Sequence, residues 1–183
     1  MKFHRTPLRD LVLVETPSVQ DERGRFTRLF CEQEYAELRP GLHFTQINLS
    51  STSHKGTVRG MHYQSPPAAE AKLIRCLRGR VFDVAVDLRA GSPTFLHWHG
   101  VELGEDGPIQ FFIPEGFAHG FQALTDDAQL LYLHTVAWSR EHEGGLRYND
   151  PAISIAWPLQ VTQISEKDRQ APLMNGTFAG VRP

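Results

Sequence analysis

The strongest constraint on the fold is a procession of short β-type runs, each closed by a turn former, that begins at Phe44. F-T-Q-I-N-L-S from Phe44, T-V-R-G-M-H-Y-Q from Thr57, K-L-I-R-C-L-R-G from Lys72 and R-V-F-D-V-A-V-D-L from Arg80 are rich in β-branched and aromatic residues. Each ends in a Gly, Pro, Asn or Asp signal. Further runs follow at Thr94 to Leu103, Ile109 to Ile113, Gly120 to Leu124 and Gln129 to Thr135. Their spacing of about ten residues is that of a sandwich or barrel. Ahead of them, Leu11 to Glu15 reads as an early strand, and Asp21 to Phe26 as a turn in which Gly24 takes positive φ before a second strand. Cys31 to Leu38, closed by Pro40-Gly41, is the one helical candidate of the first half. The tail from Pro172 reads as irregular. These signals predict an all-β chain with short peripheral helices, and 183 residues without a composition break predict a single domain over 1–183.

Charge and cysteine usage narrow the partners. A formal charge of -2, from 19 basic and 21 acidic residues, gives no bulk attraction to nucleic acid or to an anionic membrane, and leaves room for a small charged ligand. Cys31 and Cys76 are too few for a disulfide framework and lack metal-ligand spacing, which suits a reducing compartment. The N-terminus M-K-F-H-R-T-P-L-R-D has no apolar h-region, and no run approaches the length of a membrane span. The expected location is the cytoplasm.

Chemistry concentrates between Arg59 and Lys72, R-G-M-H-Y-Q-S-P-P-A-A-E-A-K. Pro66 and Pro67 forbid a helix here, so the base His62 and the cation Lys72 are expected on two neighbouring strands. A second stretch, P-E-G-F-A-H-G-F from Pro114, delivers His119 among apolar neighbours. It is a candidate ligand, base or hydrogen-bond donor, against the plainer reading of a core histidine satisfied by a carbonyl. P-x-G-x-x-H is also the second short motif of cupin barrels, whose first motif carries H-x-H and a later glutamate. In this chain that first motif reads His62-Tyr63-Gln64 without the glutamate, and two histidines alone make a poor transition-metal site. Asp83 and Asp87 share a strand face with Ala85 and read as a solvated or hydrogen-bonded face. His97 and His99, either side of Trp98, have metal-pair spacing, with Glu102 as the only further donor nearby; a half-exposed strand face accounts for them equally.

Eight ordered motifs resemble the dTDP-4-dehydrorhamnose 3,5-epimerase family of nucleotide-sugar enzymes. They are D-E-R-G-R-F at Asp21, Q-I-N-L-S at Gln46, K-G-T-V-R-G-M-H-Y-Q at Lys55, A-K-L-I-R-C at Ala71, G-R-V-F-D-V-A-V-D-L-R at Gly79, I-P-E-G-F-A-H-G-F at Ile113, Y-N-D-P at Tyr148 and S-E-K-D at Ser165. The resemblance implies a cupin-type jelly-roll barrel, a strand-exchanged homodimer, a nucleotide-diphosphate sugar as substrate, and no metal or organic cofactor. It implies His62 as the base, Asp168 as its carboxylate partner and Lys72 as the cation facing the developing oxyanion. Arg23 and Arg59 match residues that meet the diphosphate, Arg23 across the dimer interface. Gln46 and Asn48 match residues near the nucleotide, and Lys167 and His119 others that line the ligand. Phe26 packs at the base or sugar, or equally in a core. The implied chemistry is consistent: hydrogens on carbons 3 and 5 of a 4-keto sugar are acidic, and epimerisation needs a base on one face, a cation at the oxygen and a proton donor on the other face.

Two positions depart from the family pattern. Where the family carries a tyrosine as opposite-face acid, six residues after Tyr132, T-V-A-W places Trp138, whose indole is no proton acid near neutral pH. Where it carries a glutamate near the sugar or nucleotide, Arg28 stands. The expectation is therefore a metal-independent epimerase of a nucleotide-linked 4-keto-6-deoxysugar, with inversion at carbon 3 alone as the narrower form. A non-catalytic nucleotide-sugar-binding protein is opposed by the intact His62, Lys72 and Asp168. A metal-dependent cupin isomerase or oxygenase is opposed by Gln64.

Overall fold

The computed structural model describes residues 1–174, 176 and 178–183. Of the tail from Pro172, therefore, 175 and 177 lie outside the described residues. The chain forms β1 (Lys2–Arg5), β2 (Val12–Glu15), a hairpin of β3 (Ser18–Asp21) and β4 (Gly24–Thr27), and the single-turn helix α1 (Glu32–Tyr35). There follow β5 (Gln46–Thr52), β6 (Val58–Gln64), β7 (Lys72–Arg78), β8 (Arg80–Asp87), β9 (Trp98–Gly104), β10 (Ile109–Ile113), β11 (Phe117–Ala123), β12 (Ala128–His134), β13 (Glu143–Gly145) and α2 (Glu166–Arg169). Two antiparallel sheets face each other, in the orders β1-β2-β10-β7-β12-β5 and β13-β6-β11-β8-β9. This is the jelly-roll barrel of the cupin type that the resemblance implies, and the strand-rich reading holds.

Three apolar layers follow from strand alternation. On β10, Phe111 and Ile113 point between the sheets while Phe112 points outward, so the unbroken run I-Q-F-F-I serves two buried faces. Between the sheets, Ile74, Phe111 and Leu130 meet Val81, Leu103 and Phe121. Outside the six-stranded sheet, Val14 and Leu73 pack under Tyr35 of α1, and outside the five-stranded sheet Met61 and Val84 pack under Leu146 and Ile153. The β3–β4 hairpin pairs only with itself, and Gly24 at its turn has φ +123 as expected.

Several strand ends shift by a few residues, and three differences from the sequence reading bear on the site. The predicted helix 31–38 is a single turn. β11 begins at Phe117 rather than Gly120, so His119 sits inside a strand. His62 and Lys72 are on strands consecutive in sequence, but β6 and β7 belong to opposite sheets, so the Pro66-Pro67 segment crosses from one wall of the barrel to the other. The β6–β11 approach depends on glycines: a Cβ on Gly60 would lie 2.6 Å from Gly120 Cα. That approach brings His62 and His119 into register as Cα partners.

Asp83 and Asp87 are fully buried, which makes the β8 face hydrogen-bonded rather than solvated. Asp87 accepts bonds from Arg89 N, Nε and Nη2 (3.0, 2.9 and 2.9 Å), Ser92 Oγ (2.6 Å) and Thr94 Oγ1 (2.7 Å). Burial pushes its pKa up, but these donors outweigh it and hold the carboxyl at about 2. A depressed carboxyl contributes stability above its unfolded value and loses it as pH falls through the folded value. Asp87→Asn is therefore expected to cost about 1–2 kcal/mol near neutrality after allowance for solvent screening. In urea titrations this deficit should shrink as pH falls below about 4 towards 2; a pH-independent deficit would contradict the assignment.

Candidate active site

A cleft of about 820 Å³ opens between the sheets, within the range that takes a small ligand. Its walls carry two cross-strand pairs. On the five-stranded sheet His62 faces His119; on the six-stranded sheet Lys72 faces His134, with Tyr132 two residues before His134 and on the same face. The cleft is thus lined by polar groups from two opposed walls.

On the first wall His62 Nε2 bonds Asp168 Oδ1 at 2.7 Å, and Gly60 N donates to Asp168 Oδ2 at 3.1 Å. Asp168 belongs to α2, whose N-cap Ser165 accepts from Asp168 N at 3.1 Å. Burial pushes the Asp168 pKa up, but the bond and charge of His62 and the donors from Gly60 and Ser165 bring it below the ordinary carboxylate range. An ionised Asp168 fixes the tautomer with hydrogen on Nε2, which leaves Nδ1 as the basic nitrogen. Among the described residues Nδ1 has no partner, and the side chain is 36% exposed, so solvent can exchange its proton.

Beside it, His119 is buried and its Nε2 bonds Asp83 Oδ1, so the plain reading of a carbonyl partner is replaced by a carboxylate. Burial pushes the His119 pKa down against the pull of Asp83.

On the second wall Lys72 is nearly buried, and its Nζ contacts His62 O at 3.4 Å and Glu70 Oε1 at 3.2 Å. An ammonium has three donors, and these two contacts leave one for a ligand oxygen. Glu70 Oε2 bonds His134 Nδ1 at 2.7 Å. Tyr132 packs edge-on to His119 (centroids 5.7 Å apart) and parallel to His134 (5.9 Å). Burial, then the charge of Asp83, drive the Tyr132 pKa well above its ordinary value, so the phenol keeps its proton into the alkaline range where a solvated tyrosine ionises.

The other expected residues divide between the cleft and elsewhere. Asn48, Arg59, Lys167 and Trp138 line the cleft; Arg59 donates to Thr52 Oγ1 and Ser51 O, and Lys167 pairs with Glu143 at 2.7 Å. Trp138 is on the rim, 56% exposed, and its backbone N donates to Gln46 Oε1 at 3.0 Å, so Gln46 braces the rim without lining the cleft. Gln64 is a second brace, accepting from Ser139 N and donating to Ala68 O and Ala137 O. Arg23 and Phe26 sit on the exposed hairpin outside this chain's cleft, Phe26 at 74% exposure. Arg28 pairs with Glu34 at 3.0 Å, also outside it. Among the described residues no group of three His, Cys, Asp or Glu side chains is arranged to hold a metal ion, and His97 and His99 belong to none. Glu70 and His134 were missed as site residues, although Y-L-H sets His134 two positions from Tyr132 on the same face of β12, and A-E-A-K sets Glu70 two positions ahead of Lys72, just before β7 begins.

The jelly-roll barrel and its polar cleft define a protein of the cupin class, and the comparisons narrow the class to one family of enzymes. The family model for dTDP-4-dehydrorhamnose 3,5-epimerase matches residues 5–176. The dTDP-4-dehydrorhamnose 3,5-epimerase of Pseudomonas aeruginosa is 44% identical over 173 residues, 93% of this chain and 94% of that one. The crystal structure of dTDP-6-deoxy-D-glucose-3,5-epimerase from Legionella pneumophila with dTDP-4-keto-L-rhamnose superposes with a TM-score of 0.93 at 42% identity, covering 100% of this chain and 98% of that one. ChmJ, a 3'-monoepimerase from Streptomyces bikiniensis solved with dTDP as a double mutant with a histidine replaced by asparagine and a tyrosine by phenylalanine, gives a TM-score of 0.87 at 30% identity, covering 93% and 86%. The chain belongs to the dTDP-4-dehydrorhamnose 3,5-epimerase family.

The raised pKa of Tyr132 is checked by alkaline titration. Tyr132→Phe should leave the tyrosinate absorbance gained up to pH ~10 unchanged, whereas loss of one tyrosine's worth of signal in that range would show an ordinary, solvated phenol.

Proposed function

We propose that this protein epimerises a dTDP-linked 4-keto-6-deoxysugar beside its ketone, with proton removal and proton return from opposite walls of the cleft. The observation that carries this reading is the opposition of His62–Asp168 on one sheet to Lys72 and Tyr132 on the other. His62 Nδ1 takes the proton from carbon. The electron pair moves onto the ketone oxygen, where the Lys72 ammonium stabilises it. Tyr132 O–H gives a proton to the opposite face of the same carbon, and solvent restores the phenol and the imidazole. All of these groups are side chains of this chain.

Tyr132 fills the role for which the sequence reading found no candidate. The histidine and tyrosine replaced in the ChmJ double mutant have the same separation in sequence as His62 and Tyr132, which supports the pairing. Trp138 then belongs to the rim, where it bears on how the sugar sits and on whether carbon 3 alone or both carbons are inverted. Arg59, at the cleft mouth, is the proposed diphosphate partner, since a guanidinium fork fits phosphate oxygens. Asn48 and Lys167 are the proposed nucleotide-side contacts.

A homodimer is part of the proposal. Val19 and Phe26 on the hairpin, and separately Ile47 and Leu49 on edge strand β5, are exposed apolar side chains that a second copy would cover. Exchange of the hairpin would carry Arg23 and Phe26 towards the partner's cleft. The unpaired thiols of Cys31 and Cys76 support a reducing, cytoplasmic setting.

Incubation with dTDP-4-keto-6-deoxyglucose in deuterium oxide tests the reaction. Deuterium at carbon 3, with or without carbon 5, together with inversion is expected, and His62→Asn should lower exchange by about 10²–10⁴-fold; no exchange in the unmodified protein would overturn the reading. Sedimentation should give twice the chain mass, and Phe26→Asp with Ile47→Asp should shift it to one; a monomeric unmodified protein would refute the dimer.

A further inference from the structure

Besides His62–Asp168 and His119–Asp83, the cleft contains a third histidine–carboxylate pair, on the opposite wall, that the proposed reaction does not use. Glu70 is buried with one oxygen on Lys72 Nζ (3.2 Å) and the other on His134 Nδ1 (2.7 Å). A buried carboxylate is costly unless paired, and here each oxygen has its own partner. Burial pushes the Glu70 pKa up, and His134 and Lys72 more than offset this.

The bond from Nδ1 to Glu70 leaves Nε2 as an acceptor, and Asn48 Nδ2 lies 3.3 Å from it. Bonds at both ends of the imidazole fix its plane. That plane lies 12° from the ring of Tyr132, with centroids 5.9 Å apart. Tyr132 is thus held between an anchored parallel ring and the edge-on His119, at 5.7 Å and 72°. Among the described residues its hydroxyl has no hydrogen-bond partner, so packing against these two rings sets where it points.

We propose that His134, anchored by Glu70, is a positioning residue for Tyr132 that decides whether a proton taken from the sugar is replaced with inversion. The inference rests on the reading of Tyr132 as opposite-face donor. The chemistry separates two outcomes. After the carbon–hydrogen bond breaks, the imidazolium of His62 exchanges with solvent and can return a deuteron to the same face, giving exchange without inversion. Return from Tyr132 O–H gives inversion and a phenolate that solvent reprotonates. Loosening His134 should leave the first path intact and impair the second.

The test follows deuterium incorporation and inversion together on dTDP-4-keto-6-deoxyglucose in deuterium oxide. For His134→Ala, exchange should stay within about threefold of the unmodified protein, with KM unchanged, while inversion falls about tenfold to a hundredfold. His134→Phe, which keeps a ring against Tyr132, should recover most of the lost inversion. Glu70→Gln should lower both rates, because Lys72 and His134 lose their shared anion. Parallel loss of exchange and inversion in His134→Ala, or a change confined to KM, would overturn the inference, as would His134→Phe behaving like the alanine variant. Melting curves identify a variant that fails to fold, in which case His134→Gln replaces it under the same criteria. If the unmodified protein shows neither exchange nor inversion, the fault lies with the proposed reaction, not with the role of His134.

Discussion

The contact between Asp168 and the β6 strand is the interaction on which the site depends. Asp168 joins three things: the imidazole of His62, the backbone N–H of Gly60, and the capped turn of α2. Its bond to Gly60 pins β6 where it lies closest to its neighbour β11, and its bond to His62 sets the tautomer of the base. The carboxylate comes from the C-terminal segment, about a hundred residues away in sequence, so folding of that segment against the barrel completes the base. A buried carboxylate held by these donors stays ionised, and that keeps the imidazole oriented.

The barrel then converts sheet geometry into stereochemistry. Side chains that point inward from two opposed sheets approach a ligand from opposite directions, so a base on one wall and a donor on the other reach opposite faces of the same carbon. The cation is supplied by Lys72, on the same wall as the donor, and the Glu70 carboxylate beside it offsets part of the cost of burying an ammonium. Burial raises the pKa of the Tyr132 phenol, and its orientation is a consequence of the rings on either side. Each group in the cleft is therefore shaped by a neighbour that touches no substrate in this account.

Much of the fold was legible in the sequence because turn formers separate the strands: Ile109–Ile113 appears with the predicted bounds, and Gly24 takes the predicted positive φ. The placement of His62 and Lys72 on opposite sheets was not legible, since a double proline says that a segment is not helical without saying which wall it leads to. Asp168 was found only through resemblance, because no local pattern reports a contact of such long range. His134 was readable in principle from the period of two, whereas Glu70 lies just before β7, and neither carries a signal of its own until the partner strand is known. Tyr132 was not legible as a site residue, because the role of an inward-facing residue of β12 depends on burial and on what lies across the cleft.

The central claim is that proton removal and proton return come from different walls. It is tested most directly by Tyr132→Phe in deuterium oxide, with deuterium at carbon 3 and the configuration there measured on the same sample. The account predicts that deuterium still enters at a substantial fraction of the unmodified rate while inversion is lost. Full inversion in that variant, or loss of exchange and inversion together with His62 and Lys72 intact, would contradict it.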